Sequence, residues 1–303
     1  MTIWRVTPTT SLDLSPTAPP RILGILNVTP DSFSDGGRWA ALDSAVEQAE
    51  RMLAEGAVGI DVGGESTRPG AQPVAVQEQI QRVVPVIEAV RKRAGPGPLI
   101  TVDTTRAGVA RAALDGGADA VNDVSGGSED LAMLPLVAGR GCGIILMHRG
   151  TTPDRDSYST DYGKAGGLKA PLGAAVDIVA EVKERLVALA SRAVAAGVNW
   201  ESIVLDPGLG FGKTVEQNLE LVRRTGELVA LGRPVMSGLS RKSFTARAAG
   251  LPDDTAPAQR LDATVALSRG HWKAGARLFR VHDVKEHAAA FRVGAPFLSE
   301  PSE

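Results

Sequence analysis

With Cys142 the single cysteine in a chain of 303 residues, no internal disulfide can staple the fold, a pattern that fits a reducing compartment. Set in GCGIILM, that thiol reads as a buried structural group. No apolar run approaches the ~20 residues that a membrane-spanning helix needs. Neither charge dominates: 33 basic against 35 acidic side chains give a formal charge of −2, too little to recruit nucleic acid or an anionic membrane surface. The histidines at 148, 271, 282 and 287 lack zinc-ligand spacing, and without a second cysteine they argue against a tight transition-metal site. GLGFGKT (208–214) encloses one residue too few between Gly208 and Gly212 for a P-loop, and its glycines also miss the dinucleotide spacing. Residues 1–20 lack the apolar segment of a secretory signal and are rich in Pro, Thr and Ser. They read as a flexible leader to a soluble, cytoplasmic protein.

What the chain does have is alternation. Short β-rich runs at 21–27, 57–63, 99–104, 118–124, 143–148, 202–208, 234–240 and 276–282 are separated by amphipathic stretches such as DSAVEQAERMLAEG and VQEQIQRVVPVIEAVRK, several ending at glycine. Parallel strands need crossover connections, so strict alternation predicts a parallel sheet. A doubly wound open sheet is the rival, but eight units and apolar strands favour a closed (β/α)8 TIM barrel, spanning 21–298 as a single domain with a tail at 299–303. The stretch 150–173 has no clear period and reads as an insertion over the site.

A barrel of this kind carries its chemistry where strands end. The strands here end, in turn, at Asn27, Asp61, Asp103, Asn122, His148, Asp206, then Ser240 with Lys242, then Arg280 with His282. Asp103, Asn122 and Asp206 offer acceptors suited to a planar fork of N–H donors, whether arginine's or that of a 2-aminopyrimidinone ring. Arg280 and His282, two apart on one strand, share a face, and with Arg68 in GGESTRPG they suggest an anion-binding rim. A hard Mg²⁺ held by few protein oxygens and by substrate phosphates is compatible with this set. The loop after the first strand, in ILNVTPDSFSDGG (25–37), combines Pro30 with Gly36-Gly37 and reads as mobile and exposed.

Taken in order, ILNVTPDSFSDGG, DVGGESTRPG (61–70), TVDTTR (101–106), VNDVSGG (121–127), LDPGLGFGK (205–213), SGLSRKSF (237–244) and FRVHDV (279–284) resemble the segments of the dihydropteroate synthase family. The resemblance runs from about Arg21 to the last helix. It implies a (β/α)8 barrel and a transferase that joins 4-aminobenzoate to (7,8-dihydropterin-6-yl)methyl diphosphate, releasing diphosphate, in folate biosynthesis. It further implies that Asp103, Asn122 and Asp206 hold the donor edge of the pterin, with Lys242 on its acceptor side. Arg280 and His282 would grip the diphosphate, and Asn27 would contact Mg²⁺. Phe33, Thr67, Arg68 and Ser240 would form the aminobenzoate pocket, Thr67 also touching the pterin diphosphate. The partners implied are these small molecules and a second copy in a homodimer, and the family is a target of sulfonamides.

C–O cleavage ahead of attack by the arylamine is the expected mechanism, because the dihydropterin can delocalise positive charge on its methylene. The catalytic set is then Asn27, Arg68, Asp103, Lys242, Arg280 and His282. Closure of the 28–38 and 64–70 loops over bound pterin diphosphate would exclude water. Two alternatives are a pterin-binding methyltransferase barrel and a non-catalytic pterin-binding paralogue. One departure from the family pattern is Arg149, which stands where Met is usual after Leu-Met-His.

Overall fold

The computed structural model describes residues 2–28, 37–162 and 177–298. Two short antiparallel strands, β1 (Ile3–Arg5) and β2 (Ser11–Asp13), precede a parallel eight-stranded sheet. Its strands are β3 (Arg21–Asn27), β4 (Gly59–Gly63), β5 (Leu99–Asp103), β6 (Ala120–Asp123), β7 (Gly143–Met147), β8 (Ile203–Asp206), β9 (Met236–Ser237) and β10 (Leu278–Val281). They run in the order β8-β7-β6-β5-β4-β3-β10-β9, and a parallel bridge from Leu205 to Val235 joins the two ends. The sheet is therefore a closed barrel, and the open-sheet alternative falls. No described helix is long and apolar enough to cross a membrane.

The strands are covered on both faces, with every residue of β4, β5 and β7 buried. Because side chains alternate along a strand, each strand feeds two cores. Outward, Ile22, Ile60, Val62, Ile100, Val102, Ile144 and Leu205 pack against the helices. One such helix, α2 (Val76–Ala94), is the second in a chain order that begins with α1 (Gly37–Ala54), and it buries Gln79, Val83, Val86, Ile87 and Val90 along one stripe. Inward, Leu23, Leu99, Ile145, Val204, Met236 and Leu278 fill the lower barrel.

Here the structure corrects the expected flexible leader. Trp4 is fully buried, and with Val6 and Leu14 it joins the inner barrel core. Its indole Nε1 donates to the carbonyl of Ser202 at 3.0 Å, while Arg233 donates to the carbonyl of Ile3 at 2.7 Å and Gly143 N to that of Val6 at 2.7 Å. A β-carbon on Gly143 would lie 2.8 Å from that indole nitrogen, so the ring requires glycine beneath it. The physical reason is that the open lower mouth would leave its apolar ring in water; the hairpin plugs it. Cys142 is buried near this end, and burial pushes its thiol up to about 11, as a structural thiol should behave.

Candidate active site

Register lines up the chemistry at the opposite, C-terminal end. Neighbouring strands pair Asn27 with Gly63, Gly63 with Asp103 and Asp103 with Asn122, and Met147 pairs with Asp206. Gly63 has no side chain to intrude. Asn27 Oδ1 and Asp103 Oδ2 each lie 3.7 Å from where its β-carbon would stand, so the gap between them is open.

Beneath this row sits Asp61, fully buried, which accepts from Arg280 Nε, from Asn122 Nδ2 at 3.0 Å and from the Thr101 hydroxyl. The guanidinium of Arg280 also donates from Nη2 to Asp103 Oδ2 at 2.6 Å. Two carboxylates thus share one guanidinium. Burial pushes Asp103 up to about 7 despite the pull of Arg280, with Asp61 adding like-charge repulsion. Because the Asn122 amide nitrogen is committed to Asp61, its Oδ1 faces the other way, buried and without a hydrogen-bond partner among the described residues. An unmet buried acceptor at a barrel mouth is a place for a ligand N–H.

Asp206 divides its two oxygens. Oδ1 accepts from Gly208 N at 2.7 Å, and Oδ2 lies 3.3 Å from where a β-carbon on Gly238 would stand. Burial raises its pKa, against the pull of Lys242. Lys242 in turn is pushed down to about 8 by loss of solvent around its ammonium. That ammonium donates to the carbonyl of Leu209 and stands 4.1 Å from the centroid of the Phe211 ring. Phe211 packs with Met147 and Val124 in a small apolar cluster of its own. Acceptors, a cation and flat apolar surfaces therefore meet at one mouth, a combination that suits a planar heterocycle.

The rim carries the remaining predicted residues. Ser240 Oγ accepts the backbone N–H of His282 at 3.1 Å and lies 3.0 Å from its Nδ1. In the tautomer in which the Ser240 hydroxyl donates to Nδ1, Nε2–H is left as a donor. Burial, then Arg241 and Arg280, depress His282 to about 3, so the ring is neutral and serves as a hydrogen-bond donor rather than a cation. Arg68 is exposed and adds to that depression, while Thr67 lines a cleft with Glu65, Asp103, Thr105, Arg149 and Pro153. The departure at Arg149 is explained by an ion pair with Glu129 in that cleft. Between Ser240 and Lys242, Arg241 adopts φ 59, a left-handed conformation unusual for a side chain with a β-carbon, held by its pair with Asp283 and by Arg260 donating to its carbonyl at 2.9 Å.

Phe33 and most of the 28–38 loop lie outside the described residues. Sequence reasoning placed Asp61 at a strand end without seeing its role, and it missed Phe211, Val124 and Lys213, whose buried ammonium donates to the carbonyls of Gly208 and Phe211. Only Phe211 left a signal, as a lone aromatic in a glycine-rich turn.

The model of the pterin binding enzyme family matches residues 23–282. A dihydropteroate synthase of Mycobacterium leprae is 45% identical over 284 residues, covering 93% of this chain and 94% of its own length. Among solved structures, Xanthomonas albilineans dihydropteroate synthase with 4-aminobenzoic acid superposes with TM-score 0.81 at 38% identity, covering 94% of this chain and 95% of that one. The same organism's enzyme in complex with 7,8-dihydropteroate gives 0.78 at 34% identity, covering 97% and 98%.

Proposed function

The chain belongs to the family of pterin binding enzymes, and we infer that its barrel mouth joins (7,8-dihydropterin-6-yl)methyl diphosphate to 4-aminobenzoate, making 7,8-dihydropteroate and diphosphate. It is a transferase of folate biosynthesis. The observation that carries the assignment is likeness over nearly the whole length to synthases, combined with a mouth where two buried carboxylates share one guanidinium beside the buried Asn122 and Asp206. The methyltransferase alternative is not favoured.

In this reading the pterin ring lies against Phe211, its donor edge meeting Asn122 Oδ1, Asp206 Oδ2 and Asp103. Lys242 serves the acceptor side. As the C–O bond breaks, the methylene becomes cationic and the diphosphate carries away the electron pair. Asp103 offsets the first charge; Arg280, His282 through Nε2–H and Arg68 stabilise the second. The aminobenzoate nitrogen is unprotonated at neutral pH and attacks without a general base; the C–N bond forms on the methylene, and the resulting ammonium then releases one proton to solvent. Thr67, Arg68, Ser240 and Phe33 form its pocket.

Asn27 supplies one exposed neutral oxygen, and among the described residues no group of three or more His, Cys, Asp or Glu side chains could hold a metal. That donor set fits a Mg²⁺ delivered on the diphosphate and touched by Asn27, rather than one caged by the protein. Such an ion would neutralise charge on the leaving group.

A diphosphate substrate does not cross a bilayer unaided, so the enzyme works where that substrate is made, in the cytoplasm. A homodimer belongs to the same reading, and light scattering tests it. The activity is tested by diphosphate release with and without 4-aminobenzoate, and with a sulfonamide competitor. Aminobenzoate-dependent release that the sulfonamide suppresses is expected; release that ignores both would sink the reading.

A further inference from the structure

The segment 152–162, part of the stretch that matched no family motif, touches two loops of the mouth at once. At one end the carbonyl of Pro153 accepts from Gly70 N at 2.8 Å, tying it to the loop that carries Thr67 and Arg68. At the other end the Asp156 carboxylate accepts from Gly212 N at 3.2 and 3.1 Å through its two oxygens. The same carboxylate accepts from Ser157 N at 2.8 Å and from the Tyr162 hydroxyl. Asp156 and Tyr162 are each only 8% exposed.

Gly212 belongs to the turn 208–213, and that turn builds much of the pterin side of the mouth. It presents the Phe211 ring and the Leu209 carbonyl, both in contact with the Lys242 ammonium. The glycines are needed for its course: Gly208, Gly210 and Gly212 have φ values of 64, 81 and 63. A chain with so many left-handed residues has few conformational restraints of its own. Its restraints come from outside: Lys213 Nζ donates to the carbonyls of Gly208 and Phe211 at 2.8 and 3.0 Å, and Asn218 Oδ1 accepts from Gly210 N at 2.6 Å. Asn218 is itself held by a hydrogen bond to Ser159 Oγ at 3.1 Å, again within the strap.

We propose that segment 152–162 is a strap whose Asp156 is a positioning residue for the condensation, fixing the 208–213 turn so that Phe211 and Lys242 are set for the pterin before it arrives. Asp156 reaches neither substrate; it acts through Gly212. The assignment rests on the pterin reading of the mouth. Preorganisation lowers the cost of ligand binding, so its loss should appear in pterin affinity first.

The experiment compares the full-length wild type with Asp156→Ala, Asp156→Asn and Tyr162→Phe. Affinity for an unreactive pterin methyl diphosphate analogue is read by calorimetry, KM and kcat by diphosphate release, and melting temperature alongside. Asp156→Ala should weaken the analogue about tenfold and raise the pterin diphosphate KM in parallel, with the aminobenzoate KM changed less than about twofold. Asp156→Asn keeps an acceptor for Gly212 N and should recover most of the affinity. Tyr162→Phe frees the carboxylate and should cost about threefold; it decides the question if Asp156→Ala does not fold. A lowered melting temperature with wild-type analogue affinity in folded Asp156→Ala, or in Tyr162→Phe if that variant alone folds, would overturn the proposal. Fluorine NMR of 4-fluorophenylalanine-labelled protein, with Phe211 assigned by substitution, separates this from failure of the functional reading. If the wild type binds no pterin, a Phe211 resonance shifted in the Asp156 variants still supports the strap, and an unmoved one rejects it.

Discussion

The two ends of this barrel are built from the same eight strands and do opposite things. At the lower end Trp4, Val6, Leu14, Leu23, Leu99 and Leu278 close on one another and the Trp4 indole N–H is paired, while the few buried polar atoms without a partner among the described residues, Ser202 Oγ and Arg21 Nε, carry no buried carboxylate beside them. At the upper end Asp61, Asp103, Asn122 and Asp206 are buried among charges, with Asn122 Oδ1 unmatched among the described residues and Arg241 in a strained backbone conformation. Burying polar groups without full compensation costs stability, so the upper end is held in place by burial elsewhere. The contrast teaches where to look for function in such a fold: at the end where buried carboxylates, amides and cations meet rather than apolar rings.

The strongest way to break the comparison is at the lower end. Trp4→Ala should cost about 3–5 kcal/mol of stability, as for other large buried aromatics, and leave KM for both substrates unchanged in the protein that stays folded. Chemical denaturation and steady-state kinetics check this; a rise in KM would mean that the two ends are not separable.

Next come the acceptors. Asp206→Asn can keep Oδ1 on Gly208 N but then presents an NH₂ where Oδ2 stood, so donor would face donor and pterin affinity should fall tenfold or more, about 1.4–3 kcal/mol. Asp103→Asn should lose as much. It also carries a pH signature. With its pKa raised to about 7, Asp103 in the free protein gains protons as pH falls through that value and loses its acceptor character. Pterin-analogue affinity should therefore strengthen as pH rises through about 7 in the wild type and be flatter in Asp103→Asn. The sign for stability is the reverse: the folded state keeps this proton up to about 7 while the unfolded chain loses it near 4, so this group's contribution falls with rising pH across that window. Calorimetry across pH measures the first, and urea denaturation the second.

Smaller is the coupling between substrates. If Asn27 and the diphosphate order the first loop, 4-aminobenzoate should bind better once the pterin analogue is present, by the 1–3 kcal/mol typical of about 5- to 150-fold coupling, and Asn27→Ala should shrink it while sparing pterin affinity. Equal aminobenzoate dissociation constants with and without the analogue would reject this.

Smallest is Ser240→Ala. Removing the hydroxyl that fixes the His282 tautomer should raise the pterin diphosphate KM a fewfold, about 1 kcal/mol, with little change in melting temperature. A large stability loss instead would put Ser240 with the lower end's structural groups.

Much of the upper end was legible because strand ends are marked by local pattern. Asn27, Asp103, Asn122, Asp206 and Arg280 each follow an apolar run, Lys242 comes a few residues after one, and the structure brings them together. The hairpin was not legible: strands of three residues, Ile3–Arg5 and Ser11–Asp13, are too short to show a period, and Trp4 lies among residues that resemble a disordered tail. Nor was Asp156, whose partner Gly212 is 56 residues away.

By itself the sequence determined the chemical types and their order around the barrel, because apolar alternation and glycine-ended helices act over a turn or two of chain and parallel strands deliver their last residues to one face. Only the tertiary structure decided how those groups are used. Closing the barrel brings Arg280 onto Asp61, 219 residues apart, and that contact turns Arg280 toward Asp103 while the Asn122 amide, bonded to the same carboxylate, is left with its oxygen unpartnered among the described residues. Burial makes His282 neutral, and contacts from Asp283 and Arg260 hold Arg241 left-handed beside Lys242. Such states depend on the sum of neighbours that long-range packing assembles, and no local pattern encodes that sum.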